Sequence, residues 1–96
     1  MNNMVRHYIV KGRVQGVGFR WFVHREAGAR GLKGWVRNTD EGEVEIMVAG
    51  SEEKLAELRA VLERGSRGSR VDAVQEKDMD ETTAAGLESF RIEGAW

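Results

Sequence analysis

Between Gly12 and Phe22 the chain reads GRVQGVGFRWF, three glycines and a lone arginine where a β-like run gives way to a helix-like one. Glycine loses more conformational freedom on folding than any other residue, so glycines gathered at one junction need a use. A strand-to-helix turn offers one. Its backbone N–H groups have no partners within the helix and can converge on a point, where the helix dipole adds partial positive charge. Gly16 and Gly18 permit backbone angles closed to other residues and remove side chains that would block a ligand. Arg20 falls in the first helical turn, where a cation is unfavourable unless an anion compensates it. Its planar fork holds two oxygens of a phosphate or carboxylate and stays charged at any relevant pH. Anion binding is the chemistry these residues can do. A tight turn beside a solvated arginine would use the same residues, and spacing alone does not separate the two.

Two better-known glycine motifs are excluded. A nucleotide P-loop needs Lys and then Ser or Thr after its last glycine, and here Phe19 and Arg20 follow Gly18. The dinucleotide pattern needs a third glycine where this chain has Trp21.

The elements that must hold this loop are legible on either side. VRHYIVKGRV (Val5 to Val14) is rich in β-branched and aromatic residues and reads as a strand. From Phe19 the apolar residues Phe19, Phe22, Val23 and Ala27 follow helical spacing, which Gly28 and Gly31 weaken and close. GWVRNT (Gly34 to Thr39) and EVEIMVAG (Glu43 to Gly50) read as a strand pair around the turn DEG, with Val44, Ile46 and Val48 on one face and Glu43 and Glu45 on the other. SEEKLAELRAVLERG (Ser51 to Gly65) has a capping serine, early acids, an apolar stripe of Leu55, Leu58, Val61 and Leu62, and a closing glycine. Two short strands follow, RVDAVQEKDM and ESFRIEG, joined by the polar DETTAAG. Strand, helix, strand, strand, helix, strand, with a last short strand at the C-terminus, predicts an α+β fold, a ferredoxin-like βαββαβ sandwich with two helices on one face of an antiparallel sheet.

Ninety-six residues suit one small domain, expected over residues 4–96. The absence of cysteine removes disulfides and a thiolate nucleophile and fits a reducing compartment. No apolar run approaches the roughly 18 residues that span a membrane, and the N-terminus lacks a signal peptide's apolar core. A cytoplasmic location and no membrane partner are expected. Fifteen basic against sixteen acidic residues, a net charge of −1, argue against bulk attraction to nucleic acid. A positive spot is left in the first half: Met1 to His24 contain no acid but include Arg6, Lys11, Arg13 and Arg20, while acids gather in EKDMDE from Glu76 to Glu81.

GRVQGVGFR (Gly12 to Arg20) together with GWVRNTDEGEVEIMVAG (Gly34 to Gly50) resembles the two signature segments of the acylphosphatases, small enzymes that hydrolyse the carboxyl–phosphate bond of acyl phosphates. Length, element order and the late SFRI (Ser89 to Ile92) also match, so the resemblance covers nearly the whole chain. It implies the ferredoxin-like fold reached above. Backbone amides of the loop Gln15, Gly16, Val17, Gly18, Phe19 and Arg20 would cradle the phosphate. Arg20 matches the family's catalytic arginine, and Asn38 its catalytic asparagine, which would position the attacking water. The tail EGAW after Ile92 is slightly longer than the family pattern.

The implied reaction fits these residue types. A carboxylate of pKa about 4 leaves without protonation, so no general acid is needed. A loose phosphoryl-transfer transition state makes positioning the water more important than deprotonating it, which an amide can do. Without the resemblance, Asn38 reads as a polar residue before a turn, and Thr39 reads as a turn cap. His7 and His24 lack metal-ligand spacing to one another or to acids, so neither a metal nor another cofactor is expected. Trp21, Trp35 and Phe22 are assigned to packing, and His24 to the helix surface. The expected partners are an acyl phosphate substrate and inorganic phosphate as product, and no apolar stripe demands a second copy, so a monomer is expected. Similar modules occur within larger carbamoyl-transfer proteins, so a non-catalytic module binding an acyl or carbamoyl phosphate is the alternative. An RNA-binding sheet is disfavoured by Glu43 and Glu45 and by the missing aromatic RNA motif.

Overall fold

In a computed structural model, which describes residues 3–84 and 86–94, the alternation of apolar residues becomes a five-stranded sheet with one face under two helices. The elements run β1 (Met4–Arg13), α1 (Phe19–Ala29), β2 (Lys33–Asn38), β3 (Val44–Gly50), α2 (Glu52–Arg64), β4 (Arg70–Met79) and β5 (Phe90–Ile92). The sheet order is β4-β1-β3-β2-β5. β1 lies antiparallel to β3 and β4, and β2 antiparallel to β3; Tyr8 stands opposite Ile46 on one side and Glu76 on the other.

This register puts Tyr8, Val10, Val36, Val44, Ile46 and Val48 on one face, all buried. Against them pack Phe19, Val23 and Ala27 of α1 and Leu55, Leu58 and Leu62 of α2. Each large aliphatic or aromatic side chain buried there stabilises the fold by about 1.5–3 kcal/mol. The caps explain where α2 begins and ends. Ser51 Oγ accepts the Lys54 N–H at 3.3 Å, Glu52 and Glu53 occupy the first turn, and the Gly65 N–H closes onto Val61 O at 3.0 Å. Helix α1 ends where the N–H groups of Arg30 and Leu32 both reach Ala27 O.

The expected βαββαβ sandwich is present, and its sheet is mixed rather than purely antiparallel. β5 lies parallel to β2, with Val36 opposite Ile92. The cause is the path of the chain. β4 forms one edge of the sheet, so the segment after it crosses to the other edge and joins β2 running the same way. DETTAAG, expected as a polar connection, contains a single 3-10 turn at Glu81–Ala84.

On the face away from the helices, Glu45 is the hub of a polar cluster. His7 Nε2 lies 2.7 Å from Glu45 Oε2, and Arg37 Nε donates to Glu45 Oε1 at 2.6 Å while its guanidinium lies 5.1 Å from the Trp35 ring centre. Burial pushes the Glu45 carboxyl up, but the hydrogen bonds from His7 and Arg37 outweigh it and hold the group below its ordinary value of 4.5. A lowered folded-state pKa contributes stability that is complete above 4.5 and lost as pH falls through the lowered value. Glu45→Gln is therefore expected to destabilise the protein by about 1–2 kcal/mol at pH 7. In denaturant titrations at several pH values, the gap to wild type should narrow on acidification below 4.5.

Gly34 marks a second constraint on β2. Its φ is +146°, and a Cβ there would fall on the carbonyl oxygen of Met47 across the strand pair. Gly34→Ala is expected to lower stability by roughly 3 kcal/mol or more, read as a fall in melting temperature. Such a loss would come from displacing β2 and β3, which carry the next residues of interest.

Candidate active site

The junction between β1 and α1 keeps the loop open. Gly16 (φ +74°) and Gly18 (φ +77°) both occupy the left-handed region, and a Cβ at either would meet nothing within 4 Å. The space in front of the loop is therefore clear, and strain rather than crowding requires glycine. Gly18 caps α1 in a left-handed conformation without a side-chain hydrogen bond, and no acid sits in the first turn. The first turn of α1 thus has no carboxylate or capping hydroxyl of its own to satisfy its amides. Phe19 fixes this helix end by burying its ring in the core, 5.5 Å from the ring of Phe22.

Asn38 reaches the loop from the sheet. It is the last residue of β2 and stands opposite Val44, so parity places it on the helix-covered face. The turn behind it is locked: Thr39 N–H donates to Glu43 O at 2.9 Å, and Thr39 Oγ1 accepts the Glu43 N–H at 3.1 Å. Gln15 then ties the loop to this turn. Its side-chain amide nitrogen donates to Thr39 O and Glu43 O, both at 2.8 Å. A cavity of about 220 Å³ lies here, lined by Val14, Gly16, Gly18, Phe19, Arg20, Trp21 and Asn38.

Arg20 is half-buried, and its Nη1 donates to the backbone carbonyl of Glu93 at 3.1 Å. Glu93 is itself fixed to the sheet, its N–H donating to Val36 O at 2.8 Å. One guanidinium donor is thereby anchored, and among the described residues the other donors of the fork have no protein partner. Of the other early basic residues, Arg6 pairs with Asp78 at 2.9 Å and Lys11 with Glu43 at 3.6 Å, while Arg13, at the end of β1 beside the loop, has no ion pair among the described residues. The positive spot expected from the sequence narrows to the loop.

The family model Acylphosphatase matches residues 6–92. The chain belongs to the acylphosphatase family. It is 52% identical over 94 residues to an acylphosphatase of Koribacter versatilis (strain Ellin345), covering 98% of this chain and 84% of that one. The crystal structure of acylphosphatase from Bacillus subtilis is 40% identical, with a TM-score of 0.89 over 95% of this chain and 99% of that one. Full-length HypF in a phosphate- and nucleotide-bound form is 27% identical with a TM-score of 0.83, but this chain corresponds to only 12% of it.

Within this family member, the residues named from sequence are distributed unevenly around the cavity. Gly16, Gly18, Phe19, Arg20 and Asn38 line it together. Val17 faces a neighbouring cavity, and the side chain of Gln15 turns away to the β2–β3 turn. Thr39 caps that turn, as its position suggested. Two assignments change. Trp21 is 68% exposed rather than packed. His24 is not simply solvated, since its ring lies 5.9 Å from Trp21 and 6.3 Å from Phe90. The Glu93 carbonyl was not legible at all, because a main-chain acceptor leaves no residue-type signal. Of the tail EGAW, Ala95 and Trp96 lie outside the described residues.

Proposed function

We propose that this chain hydrolyses acyl phosphates to a carboxylate and inorganic phosphate, with Arg20 and the loop amides holding the phosphate and Asn38 orienting the attacking water. The observation that carries this reading is the shared cavity. An arginine fork, an uncapped glycine loop and an amide side chain face one space of about 220 Å³. Water forms the new oxygen–phosphorus bond while the bond from phosphorus to the acyl oxygen breaks. The electron pair leaves with the carboxylate, and both protons of the water remain with the phosphate product. With a leaving group of pKa about 4, departure needs no acid. Asn38 neither gains nor loses a proton at neutral pH, so its part is to aim the water, and a phosphate oxygen accepts the proton. Charge on the transferring group is met by the Arg20 fork and amide dipoles, which suits a metal-independent reaction.

The non-catalytic alternative would keep the anion site without turnover. Hydrolysis of benzoyl phosphate in excess EDTA separates the two. Turnover unaffected by the chelator supports the metal-independent enzyme, whereas phosphate binding by a folded protein without turnover supports the binding module.

A further inference from the structure

Beyond Trp21 lies a second cavity, of about 440 Å³, whose lining includes Val17, Phe22, Arg25, Ser66 and Arg67. It shares Gly18 and Trp21 with the first cavity, so the two meet around the open loop. We propose that this groove is the acyl subsite, and that it fits acyl phosphates whose acyl group is flat or apolar near the carbonyl and carries a second anionic group at its far end. The proposal rests on the acyl phosphate hydrolysis proposed above.

Three observations converge on it. The first is that an acyl group attached to a phosphate held in the loop must leave the smaller cavity. Gly18 lines both cavities, and with no side chain there nothing crowds the place a Cβ would take. The second is Trp21, a large apolar ring left 68% exposed on the rim that both cavities share. Such a ring in water is a surface for a planar or apolar segment to cover. The third is charge. Among the described residues no carboxylate lines the groove, while two arginines do. Arg67 has no ion-pair partner among the described residues. Arg25 is mostly exposed, with a long 3.9 Å approach to Glu26 Oε2 and its guanidinium 6.0 Å from the centre of the Phe22 ring. Two cations lining the same groove as an exposed aromatic ring match an anion attached to a flat group.

The test compares acetyl, benzoyl and 4-carboxybenzoyl phosphates at low salt. Hydrolysis of acetyl phosphate by the wild type, a substrate too short to enter the groove, reports on the underlying reaction alone; its failure would remove that reading and the subsite with it. The wild type is expected to favour 4-carboxybenzoyl over benzoyl phosphate in kcat/KM by about fivefold, chiefly through KM, the scale of two exposed charge pairs. In the double variant Arg25→Gln/Arg67→Gln that ratio should fall several-fold, and intrinsic reactivity cancels in the comparison. Trp21→Ala should reduce the benzoyl-to-acetyl ratio of kcat/KM. A wild type with no preference for the carboxylated substrate, or a preference undiminished in the double variant, would overturn the proposal.

Discussion

Arg20→Ala is expected to lower kcat/KM for benzoyl phosphate by at least about 10²–10³-fold, roughly 3–4 kcal/mol of transition-state stabilisation. The size follows from what the guanidinium does. It stands half-buried in the first turn of α1, with one nitrogen fixed 3.1 Å from the Glu93 carbonyl, on the lining of the cavity proposed to hold the phosphate. A charged group held in place before the reaction needs no reorganisation during it, which makes its loss larger than that of a mobile surface cation. Both KM and kcat should suffer, since the phosphate is charged in the ground state and in the transition state. Arg20→Lys should recover only part of the loss because a point charge replaces a planar fork. The fold should survive, as Arg20 contributes nothing to the apolar core and the Glu93 carbonyl can accept from water. Thermal denaturation of each variant checks that condition, and near wild-type kinetics in a folded Arg20→Ala would remove Arg20 from the proposed mechanism.

Asn38→Ala should behave differently, lowering kcat by about 10²-fold or more with a smaller change in KM. Water has to be aimed at phosphorus in line with the departing carboxylate, and misplacement by an ångström is enough for a loss of that order. Asn38 is suited to this because both neighbouring structures are fixed. It ends β2, and the turn after it is closed by the Thr39 and Glu43 hydrogen bonds and clamped by Gln15. The bonds that hold the turn run between Gln15, Thr39 and Glu43, so thermal denaturation of Asn38→Ala checks that the turn survives the substitution. Equal losses in kcat and affinity would point to phosphate binding by Asn38 instead of water positioning.

Much of this arrangement was legible in sequence because it is written in residue types. Alternation in β3 and the 3.6-residue stripe in α2 both named their buried residues correctly, since each pattern follows directly from backbone geometry. The capping serine and closing glycine set the ends of α2 within a residue. Glycines with positive φ at Gly16 and Gly18 bore out the reading of an open turn. What escaped was non-local. The parallel pairing of β5 depends on where β4 leaves the sheet, which no three-residue strand can encode. Arg20's anchor is a carbonyl 73 positions away, and Gln15's role depends on two more carbonyls across the loop. Trp21 was misassigned because tryptophan is usually buried, whereas its position beside Arg20 turns it outward along the helix.

The most direct test of the proposed chemistry is to hydrolyse benzoyl phosphate in ¹⁸O-labelled water and locate the label by mass spectrometry. Water positioned against phosphorus by Asn38, with the carboxylate leaving, puts the label in inorganic phosphate and none in benzoate. Label in benzoate would mean attack at the carbonyl carbon, and would contradict the roles assigned to Arg20, the loop and Asn38 together.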